Sequence, residues 1–316
     1  MNERPTSKRG QRGGPQSAGG TSAARMSEAI TEARNPRAKK LSALSTRELL
    51  ELMNDEDATV ARSVHDAIPE IEKAVDLIVA SLSAGGRLRY VGAGTSGRLG
   101  VLDASEAPPT FGVEPLLVHG IIAGGDRALR RAVEGAEDDA DAGARDTRGV
   151  VRKGDVLVGL SASGRARYVL AALAASKDLG AGTVGMTCDP ASPLAREAEV
   201  PIVLRVGPEI LAGSSRLKAG TATKLALNML STAAMVKLGR TKGDLMIDMR
   251  PASNKLRERA IRIVREETGV DEDEARRRLE SSGWDVRAVI EATPAGGSSG
   301  AGGGAPGRGA TDPRSS

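Results

Sequence analysis

The chain has 316 residues, 40% of them hydrophobic, and a formal net charge of +4. That length suits one large α/β domain with appendages, or two modest domains. One cysteine, Cys188, excludes an internal disulfide. Two histidines, His65 and His119, make a transition-metal cluster a poor reading, and no run approaches the ~20 apolar residues of a membrane span.

In chain order, residues 1–26 come first, with Arg4, Lys8, Arg9, Arg12 and Arg25 against Glu3 alone. Without aromatic residues between the cations, this reads as a solvated, disordered tail and not as a nucleic-acid arm. No apolar segment follows the charged N-terminus, so no secretory signal is expected, and the chain reads as soluble and cytoplasmic. Order is expected from near Glu28, with an N-terminal helical segment over 27–77. Ser45-Thr-Arg-Glu48 is a capping box that starts a helix through Leu49, Leu50 and Leu52. Val60, Val64, Ile68, Ile71, Val75 and Ile78 recur at helical spacing, predicting one helix over 59–83 that Pro69 breaks or kinks.

Strands then alternate with helices. Strands are predicted at 88–91, 116–123, 155–160, 182–187 and 200–206. Helices are predicted from Gly97, over 127–144 (strongly charged), over 165–177 and over 218–238 (long and apolar). This pattern predicts an α/β fold with a doubly wound parallel sheet, whose ligands bind beyond the carboxyl ends of the strands. Only Trp284, Tyr90, Tyr168 and Phe111 are aromatic, so the core must be aliphatic. Residues 254–292 read as three short amphipathic helices, and 293–316 as a second disordered tail rich in Gly, Ser and Pro.

Three loops fall where such a sheet places its pocket. Gly92-Ala-Gly94-Thr95-Ser96-Gly97 follows the first strand and opens a helix. By its glycines it could be a dinucleotide loop, but that site also needs an acid at the end of the next strand, about 20 residues on. Here Asp126 follows Ile122-Ala-Gly-Gly125, well past that spacing. Ser161-Ala-Ser163-Gly164 lies between the third strand and its helix. Two hydroxyls and loop amides suit a phosphate monoester, whereas a helix cap needs only one hydroxyl. Gly213-Ser214-Ser215-Arg-Leu-Lys218 opens the long apolar helix with two hydroxyls and two cations.

Two carboxylates remain. Glu106 lies in Asp103-Ala-Ser-Glu106-Ala-Pro-Pro109, where the prolines are expected to end the helix. Glu137 lies in Val133-Glu-Gly-Ala-Glu137-Asp138, on the charged helix. A single Glu on a polar helix is ordinarily a solvated surface residue, so Glu137 has no claim on chemistry from its position alone.

At these residues the sequence resembles the N-acetylmuramic acid 6-phosphate etherases, built on the sugar-isomerase (SIS) fold. The matching segments are GAGTSGRLGVLDASEAPPTFGV (92–113), IIAGGDRALRRAVEGAEDD (121–139), GLSASGR (159–165), GSSRLKAGTATKLALNMLST (213–232) and GDLMIDM (243–249). The resemblance implies an SIS sugar-phosphate-binding domain at 78–241 and a UBA-like helical unit at 254–292. It implies catalytic acids at Glu106 and Glu137, no metal or organic cofactor, and a homodimer that uses the 218–238 helix. Gly94, Thr95, Ser96, Ser161, Ser163, Ser214, Ser215 and Lys218 are the expected substrate- and phosphate-binding residues. Ala166-Arg167 departs from the Thr-Pro common in the family after SGR, and Ala107 from a common Cys.

The implied reaction splits the C3 D-lactyl ether by elimination and hydration, releasing N-acetylglucosamine 6-phosphate and D-lactate. Glu106 is expected to protonate the departing oxygen, and Glu137 to act as base at C2 or on water. Two rivals share the fold: a non-catalytic sugar-phosphate sensor like the vertebrate glucokinase regulator, and an aldose–ketose isomerase.

Overall fold

Ser45 starts the first α-helix, α1 (Thr46–Asp57), as a capping box. Its hydroxyl accepts from the Glu48 amide at 3.3 Å, and the Glu48 carboxylate accepts from the Ser45 amide at 2.8 Å. The single helix expected over 59–83 is instead two, α2 (Val60–His65) and α3 (Ile68–Ser83). Pro69 sits in the first turn of α3, where an amide N–H has no intrahelical partner to lose, so it begins a helix and does not kink one. The computed structural model describes residues 30–293. The tail 1–26, the start of order near Glu28 and the tail after Thr293 lie outside the described residues.

From Leu88 the chain alternates: β1 (Leu88–Gly92), α4 (Gly94–Phe111), β2 (Val118–Ile122), α5 (Arg127–Arg130), α6 (Ala140–Val150), β3 (Val156–Leu160), α7 (Arg167–Asp178), β4 (Gly182–Thr187), α8 (Pro193–Glu197), β5 (Val200–Val203) and α9 (Lys218–Lys237). All strands pair in parallel in the order β2-β1-β3-β4-β5. Parallel neighbours cannot be joined by a hairpin, so helices carry the crossovers and cover both faces. Alternate residues divide between those faces. Leu88, Tyr90, Val156, Val158 and Leu160 face a core closed by α2, α3, α4 and α9. Val91 and Leu157 face a smaller core under α7, with Tyr168, Val169 and Leu173.

Two predicted boundaries need correction. Pro108 and Pro109 do not end α4, which runs through both to Phe111 and stops at Gly112 (φ 62°). Burial of Ala107 and Phe111 holds this last turn, and the Gly112 amide closes it onto the Pro108 carbonyl. The charged helix expected over 127–144 is also broken. α5 ends at Arg130, the chain leaves helical geometry at 131–134, and Gly135 (φ 72°) introduces a 3-10 turn, Ala136–Asp138. Asp139 then caps α6 by accepting from the Ala142 amide at 2.8 Å. Glu137 therefore sits on a tight turn between helices.

The C-terminal helices α10 (Asn254–Thr268), α11 (Glu272–Ser281) and α12 (Val286–Ala292) are capped by Ser253, Asp271 and Asp285. They enclose a separate apolar cluster that includes Ile263, Val264, Leu279 and Ile290.

Candidate functional site

Strand order reverses between β1 and β3, and the loops leaving these two strands part there to leave a crevice. A cavity of about 240 Å³ lies in it, walled by Gly94, Thr95 and Ser96 of the first turn of α4 and by Ser161, Ala162 and Ser163 after β3. Glu137, Gly213, Ser215, Thr31 and Glu32 also line it. The β1–α4 turn owes its glycines to two requirements. A Cβ on Gly97 would come 2.6 Å from the Gly92 carbonyl oxygen and 2.7 Å from Ile122, so strand end and helix start touch through bare backbone. Gly94 is different: it has φ 54° and open space beside it, on the cavity wall. The early amides of α4, at Thr95 and Ser96, begin a helix of 18 residues and have no i−4 carbonyl to bond.

The second loop is braced from below. The Ser161 amide donates to the Met186 carbonyl at 3.1 Å, and the Gly164 amide to the Ser161 carbonyl at 2.9 Å. Neither Lys nor Arg lines this cavity among the described residues, while Glu32 and Glu137 do. Hydroxyls and N–H dipoles are thus its means of holding an anion, a mode suited to a phosphate monoester.

Several expected site residues lie elsewhere. Lys218 does not reach the cavity. It is 4% exposed, and its ammonium lies 2.7 Å from a carboxylate oxygen of Glu56, itself 8% exposed. The start of α9 is also occupied by protein: the fully buried Glu209 carboxylate accepts from the Lys218 and Ala219 amides, both at 3.0 Å. Ser214 lies in the turn before α9, its carbonyl accepting from the Leu217 amide, and does not line the cavity. Burial pushes the Glu56 carboxyl up. Hydrogen bonds from Lys218 and Asn35, with the charges of Lys218 and Arg37, outweigh that and hold it below its usual value.

Glu106 is also apart from Glu137. It lies about 15 Å of helix rise beyond Ser96 along α4. There it lines a second cleft of about 310 Å³ between α4 and α9, with Leu102, Asp103, Lys224, Asn228 and Ser231. One turn before Glu106, Asp103 accepts from the Tyr90 hydroxyl at 2.9 Å and the Ser231 hydroxyl at 3.1 Å. Burial raises the Asp103 carboxyl above its usual value despite those bonds. Thr31, Glu32, Asp103 and Lys224 were not among the residues expected to bind or react. Asp103 had a signal, three residues before Glu106 on one helix face. Thr31 and Glu32 lie in ITEARNPR, which has no motif to mark it.

A parallel sheet in this strand order, with a crevice where the order reverses, is a doubly wound α/β fold, and the family models place it in the SIS class. A model described as SIS domain matches residues 136–233, and one described as glucokinase regulatory protein N-terminal SIS domain matches residues 70–177. Within that class, the chain belongs to the N-acetylmuramic acid 6-phosphate etherase family. It is 51% identical over 271 residues to the N-acetylmuramic acid 6-phosphate etherase of Symbiobacterium thermophilum, covering 86% of this chain and 90% of that one. It is 53% identical over 262 residues to the etherase of Pectobacterium atrosepticum, covering 83% and 86%. Among solved structures, a phosphoheptose isomerase from Neisseria gonorrhoeae superposes on 60% of this chain and 98% of its own, with TM-score 0.48 and 19% identity.

Proposed function

We propose that this chain is a carbon–oxygen lyase that cleaves the C3 D-lactyl ether of N-acetylmuramic acid 6-phosphate, yielding N-acetylglucosamine 6-phosphate and D-lactate in cell-wall amino-sugar recycling. The observation that carries the reading is the convergence of Thr95, Ser96, Ser161, Ser163 and Ser215 on one cavity with Glu137. The hydroxyls and the first amides of α4 hold the 6-phosphate, and Glu137 meets the sugar attached to it. Drug-sized ligands usually occupy roughly 300–1,000 Å³. A cavity of about 240 Å³ is small for the whole substrate, and we take it as the seat of the phosphate end, with the lactyl group directed outward.

Opening of the sugar ring makes C1 an aldehyde and acidifies the C2 proton. A base removes that proton, the C3–O bond breaks, and lactate leaves with a proton on its former ether oxygen. Water then adds to C3 of the 2,3-unsaturated aldehyde while C2 regains a proton. Each step is a proton transfer within reach of carboxylate chemistry. Glu106 serves the departing oxygen, and Glu137 serves C2 or the water.

In a single chain the two acids line different cavities, so the reading takes the enzyme as a homodimer in which Glu106 of one copy reaches the cavity of the other. Leu102, Met229 and Val236 support this: they are 50%, 39% and 46% exposed on α4 and α9, the helices that form the Glu106 cleft. Apolar surface of this kind is what a second copy would cover. We place the reaction in the cytoplasm, where a free cysteine such as Cys188 stays reduced. Among the described residues, no helix is long and apolar enough to cross a membrane.

The test is incubation with N-acetylmuramic acid 6-phosphate and a coupled assay for D-lactate. Release of lactate, lost in Glu106→Gln, is the expected result. Binding without lactate release points to a sensor. Interconversion of hexose phosphates without release points to an isomerase.

A further inference from the structure

The cavity has a wall that does not come from the sheet. Thr31 and Glu32, in a short 3-10 turn at Ile30–Glu32 that opens the described residues, line it together with the hydroxyl loops. This segment is fastened in place. The Thr31 carbonyl accepts from the Gly213 amide at 3.1 Å. The Asn35 amide group donates to Glu56 at 2.7 Å and to the Pro208 carbonyl at 3.3 Å, and Asn35 is 6% exposed. Glu56 in turn binds Lys218. The Glu32 carboxylate lies against Gly213, where a Cβ would meet it at 2.9 Å, beside Ser215 of the same wall.

Two features of this wall call for a ligand. Thr31 is 2% exposed, and its hydroxyl has no hydrogen-bond partner among the described residues. Buried hydroxyls are ordinarily paired, and one left unpaired beside a cavity is open to pairing when a ligand arrives. Glu32 is the second. A carboxylate in a cavity that holds a phosphate dianion repels it, unless it faces a different part of the molecule. An ionised carboxylate is acceptor-only, so the part it faces must carry donors. On a sugar phosphate those donors are hydroxyl groups and an amide N–H.

We propose that Glu32 is a substrate-binding residue whose carboxylate accepts hydrogen bonds from the hydroxyl-bearing part of the sugar while the Thr95–Ser96 and Ser161–Ser163 loops hold the phosphate. The inference rests on the sugar-phosphate reading of the cavity. Glu32 then selects a sugar phosphate over a bare phosphate, because its charge opposes the anion and its hydrogen bonds favour the polyol. The N-terminal segment thus takes part in recognition as well as packing.

The experiment is titration calorimetry on the full chain, wild type against Glu32→Ala and Glu32→Gln, with N-acetylglucosamine 6-phosphate and inorganic phosphate as separate probes. Thermal unfolding of each variant establishes that it is folded. The expected result is a loss of about tenfold to a hundredfold in affinity for the sugar phosphate, the scale of a hydrogen bond to a charged group. Affinity for inorganic phosphate should be unchanged or tighter. Unchanged sugar-phosphate affinity overturns the proposal, as does a parallel loss for both probes, which would make Glu32 a mere prop for the wall. A wild type that prefers neither probe overturns it too. Lactate release by the wild type is measured separately, so a failure at Glu32 leaves the etherase reading standing.

Discussion

The Lys218 ammonium and the Glu56 carboxylate lie 2.7 Å apart, at 5% and 10% side-chain exposure, joining α9 to the end of α1 across 162 positions of sequence. Asn35 and Arg37 bind the same carboxylate, at 2.7 Å and 3.1 Å. The pair therefore ties the N-terminal segment, the first helix and the start of α9 into one unit. Its two halves are not equivalent. Glu56→Ala leaves the Lys218 ammonium buried with its carboxylate gone, and should cost about 3–5 kcal/mol, the usual penalty for half of a buried ion pair. Lys218→Met leaves Glu56 with Asn35 and Arg37 and should cost less. Urea denaturation of the two variants decides this, and equal losses would mean that Asn35 and Arg37 contribute nothing.

Acid should weaken the same tie. The folded-state carboxyl of Glu56 is held below its usual value, so its contribution is fully present above the unfolded value, about 4.3, and is lost as pH falls through the folded one. Asp103 runs the other way, because burial raises its carboxyl and lower pH relieves the penalty. Denaturation midpoints from pH 7 down to pH 3 should fall on the acid side in wild type and fall less in Glu56→Gln. A steeper fall in that variant would contradict the assignment.

Removing both loop hydroxyls with Ser161→Ala and Ser163→Ala should weaken binding of N-acetylglucosamine 6-phosphate. Each lost bond to a charged group is worth roughly 1.5–3 kcal/mol. The loop backbone is held by the Met186 carbonyl and its own turn, so the fold should survive. Calorimetry that returns the wild-type affinity would remove the phosphate from this loop.

If the reactive site joins Glu106 of one copy to Glu137 of another, two inactive variants should rescue each other. Glu106→Gln and Glu137→Gln, mixed and allowed to exchange subunits, would form mixed dimers with one intact site and one doubly altered site. With equal mixing and free exchange, two-fold symmetry then gives about a quarter of the wild-type lactate release. Light scattering reports the dimer itself. A mixture as inactive as its components would place both acids in one chain and contradict the separation seen along α4.

The sheet and most helices could be read along the chain because their cues are local. The capping box at Ser45, the short strand-length runs at Leu88–Gly92 and Val156–Leu160, and the Gly269 stop after α10 each act within a few residues. The misread boundaries are places where distant contacts outweighed a local rule. Proline ends most helices, yet α4 continues through Pro108 and Pro109 because Ala107 and Phe111 are buried in the main core. Charge pattern favoured one helix over 127–144, yet Gly135 at positive φ and the Asp139 cap divide it.

The site divides in the same way. By itself the sequence determined where a ligand would sit, since hydroxyls, glycines and helix starts must fall at the ends of β1 and β3 once strands and helices alternate. The directions of the side chains were decided only by tertiary structure. Lys218 is in a loop-to-helix motif that looks made for an anion, yet its cation is drawn to Glu56, a partner 162 positions away that no spacing rule connects to it. Glu106 and Glu137 are 31 positions apart in the chain, but α4 runs away from the cavity at its N-terminus and carries Glu106 to a different one. Thr31 and Glu32 have no motif, and they reach the cavity because Asn35, Glu56 and Gly213 fold the segment back onto it. Burial and long-range hydrogen bonding set these positions, and neither is a property of neighbouring residues.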